Sequence, residues 1–170
     1  AMAKTNIQYE VINDDTLVLS GNGEAEEAIK YGKEVKKSQI KKLIIKEGIT
    51  KITPLGIGTF ESVREVVLPD SLTEIGDATF AGYYKLKKVR FGKGLQTIAY
   101  LAFASCISLE EIDIPDSVVE IGAAAFDGCN KLKEILLPER LKEWNYYILR
   151  GCPALEIIIN DSKIPCYMPW

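Results

Sequence analysis

The chain has 170 residues, 47% of them hydrophobic and 26% charged, with a net charge of −3; this is enough apolar material for one continuous core and a single domain. The near-balance of charge, with no long block of one sign, argues against a nucleic-acid-binding face, which is normally basic. The longest nearly apolar stretch, around residues 99–109, is too short and too interrupted to span a bilayer, and the absence of histidine removes the Ser-His and Cys-His nucleophile pairs.

At the N-terminus, Ala1-Met2-Ala3-Lys4 is followed by no apolar run of the kind a signal peptide carries. Ala1 ahead of Met2 reads as an added residue. Met2 is then either the native start of a cytoplasmic protein or a trimmed start of a secreted or surface one. Residues 1–39 read as a non-repeat cap. Ile7, Tyr9 and Val11 alternate with Gln8 and Glu10 as a strand, Asn13-Asp14-Asp15 turns the chain, and residues 16–20 return as the second strand of a hairpin. Residues 24–37 have the spacing of an amphipathic helix, with Ala25, Ala28, Ile29, Gly32 and Val35 on one side and Glu24, Glu26 and Glu27 at its positive end. Its expected job is to cover the exposed apolar side of the first repeat. An anion site at Gly21-Asn22-Gly23, beside that helix's N-terminus, is disfavoured by the adjacent acids.

From residue 40 the chain repeats every 23 residues. Leu43, Val66, Val89, Ile112, Ile135 and Ile158 form one apolar column, and Ile45, Leu68, Phe91, Ile114 and Leu137 a second. Ile52, Ile75, Ile98 and Ile121 form a third. A fourth is Ile57, Phe80, Phe103, Phe126 and Leu149. Within a repeat, Val89 and Phe91 alternate with Lys88 and Arg90, as in a half-buried strand. Stacked repeats place these strands side by side in a parallel sheet. Pro69, Pro115 and Pro138 close three strands, and the polar pairs after them make turns. The Ala-Phe-x-x-Cys part has the spacing of a turn or two of helix or 3₁₀. The repeats are placed at residues 40–160, about five coils, with residues 161–170 as a lid or, alternatively, an apolar surface awaiting a partner.

Cys106, Cys129 and Cys152 share one column with Phe60 and Tyr83. Stacking brings equivalent residues about 5 Å apart, but parallel side chains do not converge on a disulfide, so a ladder of buried reduced thiols is expected. Cys166 stands outside that column. With no histidine and no Cys-x-x-Cys, no metal site is expected, and no cofactor is implied.

The skeleton L-x-x-[VI]-x-[IFL]-P-x-[SG]-[LV]-x-x-I-G-x-x-A-F-x-x-C resembles the leucine-rich repeat of the BspA-like family over about residues 40–167. Residues 16–23 also resemble a stretch that often precedes those repeats. The end repeats depart from the pattern, with Ile57 and Phe60 in the first and Trp144-Asn145 and Leu149 in the last. The resemblance implies a right-handed solenoid; together with the strands, turns and cap read above, the expected fold is an α/β repeat, a leucine-rich-repeat solenoid with a parallel β-sheet on one face, short helical or 3₁₀ segments on the other, and a hairpin-plus-helix cap. Members are commonly bacterial surface proteins linked to adhesion and to binding host or matrix proteins.

The outward sheet face is the expected interaction surface. One of its columns is Lys42, Glu65, Lys88, Glu111, Glu134 and Ile157, and the other Ile44, Val67, Arg90, Asp113, Leu136 and Ile159. Cross-strand charge pairing, including Arg90 with Asp113, accounts for part of this pattern. A binding centre accounts for the same residues, and the candidates are Lys88, Arg90, Glu111, Asp113, Glu134 and Leu136. Tyr84, Tyr100, Tyr146 and Tyr147, outside the apolar columns, are a second candidate group. A carboxylate cluster at Glu111, Asp113 and Glu134 is read as solvated acids rather than a catalytic pair, and the protein is not expected to be an enzyme. Asn160-Asp161-Ser162 fits a weak glycosylation pattern. The partner expected is a protein or matrix component, with no nucleic acid and no membrane insertion. The alternative is an intracellular scaffold, or a module that self-associates through its ends.

Overall fold

The computed structural model describes residues 6–142 and 146–160, with the side chains of 146–147 and 157–160 left aside. The chain coils about five times, and each coil crosses two walls of parallel strands. The first wall begins with β1 (Ile7–Ile12), antiparallel to β2 (Thr16–Gly21), and continues in parallel through β4 (Lys42–Ile45), β6 (Glu65–Val67) and β8 (Lys88–Arg90). It resumes as β10 (Glu111–Asp113), β12 (Glu134–Leu137) and β13 (Ile157–Asn160). Register partners lie one repeat apart: Leu43 opposes Val66, Val66 opposes Val89, and Ile112 opposes Ile135.

The sequence predicts one parallel sheet; the structure has a second wall of parallel strands as well. The second wall orders β3 (Gly23–Ala25), β5 (Ile49–Ile52), β7 (Glu74–Ile75), β9 (Thr97–Ile98) and β11 (Glu120–Ile121) side by side. It was missed because most of its strands are two residues long, too short to show alternation. The turns between the walls match expectation: Leu72, Val118 and Leu141 donate to the carbonyls of Pro69, Pro115 and Pro138.

The helix expected over residues 24–37 does not form. Gly23 and Ala25 instead pair with Ile49 and Ile52, and the Ile29 N–H donates to the carbonyl of Leu55. Bonding to the adjacent coil outcompetes helical propensity, which is a weak prior. Only a short 3₁₀ turn at Lys37–Gln39 remains. Without a helix, the anion-site reading at Gly21–Gly23 has no basis. The segment still covers the first coil: Ala25 and Val35 are buried, and the Tyr31 ring lies between Tyr9 and Phe60, 4.9 Å and 5.6 Å between centroids. Its hydroxyl donates to the Ile57 carbonyl.

The Ala-Phe-x-x-Cys segments are also not helical in the interior coils. Helix appears in the end coils only, as α1 (Pro54–Ile57), capped by Thr53, and a 3₁₀ turn at Tyr146–Leu149. In between, Ala78, Leu101 and Ala124 have φ of 56°, 57° and 55°, left-handed values that stop a right-handed helix. Alternate N–H groups then serve different partners. Ala102, Ala104 and Cys106 close tight turns within the coil, while Phe103 and Ser105 donate to Ala125 and Asp127 of the next coil. The segment is thus a third hydrogen-bonded wall.

Inside, the Phe80, Phe103 and Phe126 rings stack at 5.3 Å and 5.6 Å between centroids, all fully buried. Beside them the three cysteines are unpaired and buried. Each thiol donates to the carbonyl of a phenylalanine in the preceding coil, Cys106 to Phe80 at 3.3 Å and Cys129 and Cys152 to Phe103 and Phe126 at 3.2 Å. Burial pushes the Cys129 and Cys152 thiols up to about 12 and Cys106 well above its ordinary value. The expected lid, residues 161–170, lies outside the described residues.

Two outcomes follow. Phe103→Ala empties a site bounded by aromatic rings on both sides and should cost about 3–5 kcal/mol in urea denaturation. A thiol reagent applied to the native protein should leave Cys106, Cys129 and Cys152 unmodified, because the reactive thiolate is suppressed and shielded.

Candidate functional site

The first wall presents its outward columns as expected. Lys88, Arg90, Glu111 and Asp113 are exposed, and Glu134 and Leu136 are half-buried. Register places Glu134 beside Glu111, and Leu136 beside Asp113. It places Lys88 beside Glu65, and Arg90 beside Val67.

The six candidates do not form one continuous patch. No backbone pairing joins β8 to β10, although Cα atoms of the two strands still come within 8 Å. Lys88 and Arg90 therefore stand on one side of a break, and the other four on the far side. The pairing expected between Arg90 and Asp113 is absent among the described ion pairs. Arg90 turns the other way, its Nε 2.9 Å from Glu65 Oε1, while Lys42 Nζ lies 3.9 Å from the same oxygen. The Arg90 hydrogen bond and the Lys42 charge hold the Glu65 carboxyl below its ordinary range. Beyond the break, Glu111 and Glu134 oppose each other with like charge, an arrangement that favours a cationic neighbour.

A depression of about 470 Å³ spans the break and the two junctions after it, lined by Lys87, Ser108, Glu110, Glu111, Lys133, Glu134 and Glu156. Sequence reasoning passed over Lys87, Ser108, Glu110 and Glu156. The signal was available in the column just before each strand, which runs Lys41, Arg64, Lys87, Glu110, Lys133 and Glu156. It is basic at every coil up to the break and alternates in sign beyond it, from Glu110 through Lys133 to Glu156. One lip is basic, with Lys87, Lys88 and Arg90, and the other acidic, with Glu110, Glu111 and Asp113.

The second wall gathers its described ion pairs around one lysine. Lys51 Nζ lies 2.7 Å from Glu26 and 2.9 Å from Glu74, and these two carboxylates raise its pKa. Of the tyrosine group, Tyr84 and Tyr100 are exposed, on different parts of the coil edge; Tyr146 and Tyr147 have side chains outside those described. Among the described residues no three acids or thiols are grouped to hold a metal ion, and no helix is long and apolar enough to cross a membrane.

Residues 56–166 match, in six copies, the family model described as a BspA type leucine-rich repeat region. No curated protein matches the chain. Among solved structures, a leucine-rich cell surface protein from Faecalibacterium prausnitzii is 26% identical with a TM-score of 0.69, covering 93% of this chain and 38% of that one. A leucine-rich repeat protein of T. pallidum is 26% identical with a TM-score of 0.60, covering 89% of this chain and 67% of that one. One from Bacteroides ovatus, 22% identical with a TM-score of 0.57, covers 93% of this chain and 52% of that one and shares its fold. The chain thus spans well under half of the Faecalibacterium protein.

The Glu65 site predicts a pH signature. A carboxyl whose pKa is lowered by folding adds stability above its ordinary value of 4.5, and that contribution is lost as pH falls through the lowered value. Glu65→Gln should therefore be less stable than the parent at pH 7, and the gap should close on acidification when both are unfolded in urea.

Proposed function

Because the chain belongs to the BspA-type leucine-rich repeat family, we propose that it is a non-enzymatic interaction module that binds a protein or matrix partner through the outward face of its first wall. One observation carries this reading. The face is a row of parallel strands whose central side chains are exposed and charged, with opposite signs on the two sides of the β8–β10 break. Arg90 is tied to Glu65, but Lys88, Glu111 and Asp113 enter no described ion pair. Repeat solenoids bind through such extended faces, and separated fields of opposite sign select partners by orientation. The cell-surface description of the Faecalibacterium protein supports an extracellular setting for the same activity.

The chemistry within reach argues for binding over turnover. The depression at the break is lined almost entirely by charged residues, whereas small-molecule sites are mostly apolar. The carboxylates there have lysine neighbours in the same lining, Lys87 and Lys133, as solvated charged surfaces do. Lys88, Arg90, Glu111, Asp113, Glu134 and Leu136 are the residues assigned to partner contact, joined by Lys87 and Glu110.

The test is the double variant Arg90→Glu with Leu136→Asp, assayed against a panel of immobilised extracellular-matrix proteins. Arg90→Glu breaks the pair with Glu65, and Leu136→Asp places a carboxylate beside Asp113, so the thermal midpoint should fall somewhat and affinity is compared at a temperature where circular dichroism shows both proteins folded. Affinity for any matrix protein the parent binds should fall at least about tenfold, roughly 1.4 kcal/mol. Unchanged affinity would exclude this face.

A further inference from the structure

The break between β8 and β10 is specific to one junction. At the junction before it, Lys87 and Lys88 both donate to the Arg64 carbonyl, and Leu68 donates to Arg90. At the junction after it, Lys133 and Glu134 both donate to Glu110, and Ile114 donates to Leu136. The equivalent donors at the break are Glu110, Glu111 and Phe91, and none has its counterpart bond. The two rear walls remain closed at the same level. Val119 donates to Gln96 at 2.9 Å, Gly122 to Ile98 at 2.7 Å, and Phe103 to Ala125 at 2.7 Å.

Two residues of the third coil explain the opening. Phe91 stands where other coils have Ile45, Leu68, Ile114 and Leu137. Those four are buried, while Phe91 is half-buried with its ring edge-on to Phe103 at 6.2 Å. An aromatic ring is wider than the aliphatic side chains of that column and would hold the front of the fourth coil away. The second residue is Lys93. At the same corner, Glu47 accepts from the Asp70 and Ser71 N–H groups at 2.6 Å and 3.1 Å, and Asp70 accepts from the Lys93 N–H at 2.8 Å. A lysine has no acceptor to offer Asp116 in the next coil. The neighbouring hydroxyl differs as well. Ser71 Oγ donates to the Ile49 carbonyl at 2.8 Å, whereas the equivalent Ser117 Oγ is buried without a partner. At the rear, Gly122 has no Cβ, and its backbone presses against Ala99 and Tyr100, where a Cβ would collide.

We propose that this seam is a joint: the first wall consists of two plates that open and close about the glycine-packed rear, setting the distance between the basic lip on β8 and the acidic lip on β10. The joint itself stands on backbone geometry. Only its use in binding rests on the function proposed above, where a partner bridging both lips would select one opening of the joint.

Hydrogen exchange on the whole chain, with no partner present, tests the joint. The amides of Phe91, Glu110 and Glu111 should exchange at least about tenfold faster than those of Leu68, Lys87, Lys88, Lys133 and Glu134. Equal protection would overturn the seam. The variant Phe91→Leu with Lys93→Asp, which restores the residue types of the neighbouring coils, should bring the three amides to the protection of their counterparts. Persisting fast exchange would refute the cause assigned here. Motion is read from spin labels in a Cys166→Ser background, at Lys88→Cys with Glu134→Cys across the seam and at Lys42→Cys with Lys88→Cys on one plate. Both pairs are two coils apart. A longer and broader distance distribution across the seam supports the joint; equal widths overturn it. Loss of the matrix-binding result with this pattern intact would remove the binding face and leave the joint standing.

Discussion

Every coil depends on the one beside it. An isolated 23-residue turn would leave its strand donors and acceptors unpaired and its apolar residues wet, and neither penalty could be offset locally. Partners are found one repeat away, across three walls of backbone hydrogen bonds. The same coupling decides the fate of the cysteines. Each thiol points to a carbonyl in the coil before it, which fixes it in a dry slot and keeps it from acting as a nucleophile. Structure and inertness have one cause.

Electrostatics is layered on this frame without supporting it. The ion pairs sit on strand faces where water competes, so each contributes little to stability. Their importance lies in distribution. The second wall gathers its described ion pairs around Lys51, whereas the first divides into a basic and an acidic lip. The division coincides with the only junction, among the described residues, at which adjacent coils of the first wall lack backbone pairing. Charge pattern and backbone geometry thus meet at the same place in the third coil.

Much of this was legible in the residues. The strand columns, the turns after Pro69, Pro115 and Pro138, and the burial of the Phe and Cys columns all follow from the repeat. Besides the second wall, whose strands are mostly too short to show alternation, three features were not. The expected cap helix had correct amphipathic spacing, but its backbone found better partners in β5 and Leu55. The interior Phe segments had helical spacing, yet non-glycine residues at Ala78, Leu101 and Ala124 accept left-handed backbone because hydrogen bonds to the next coil offset the strain. The seam escaped because column averaging treats Phe91 as one more apolar residue and Lys93 as one more polar one. The outward candidates were located correctly on their strands, but their division into two groups needed the missing ladder.

The matched register has one more consequence. Because strand partners within the repeats sit one full repeat apart, the fold measures chain length there in whole repeats. Excising an entire interior coil would let its two neighbours close over the gap with every column still in phase. Removing a single residue from a strand would reverse which side chains face inward for the rest of that strand. This is a molecule for which the large edit is the gentle one, and a gene that gains or loses copies moves between foldable lengths without passing through a broken one.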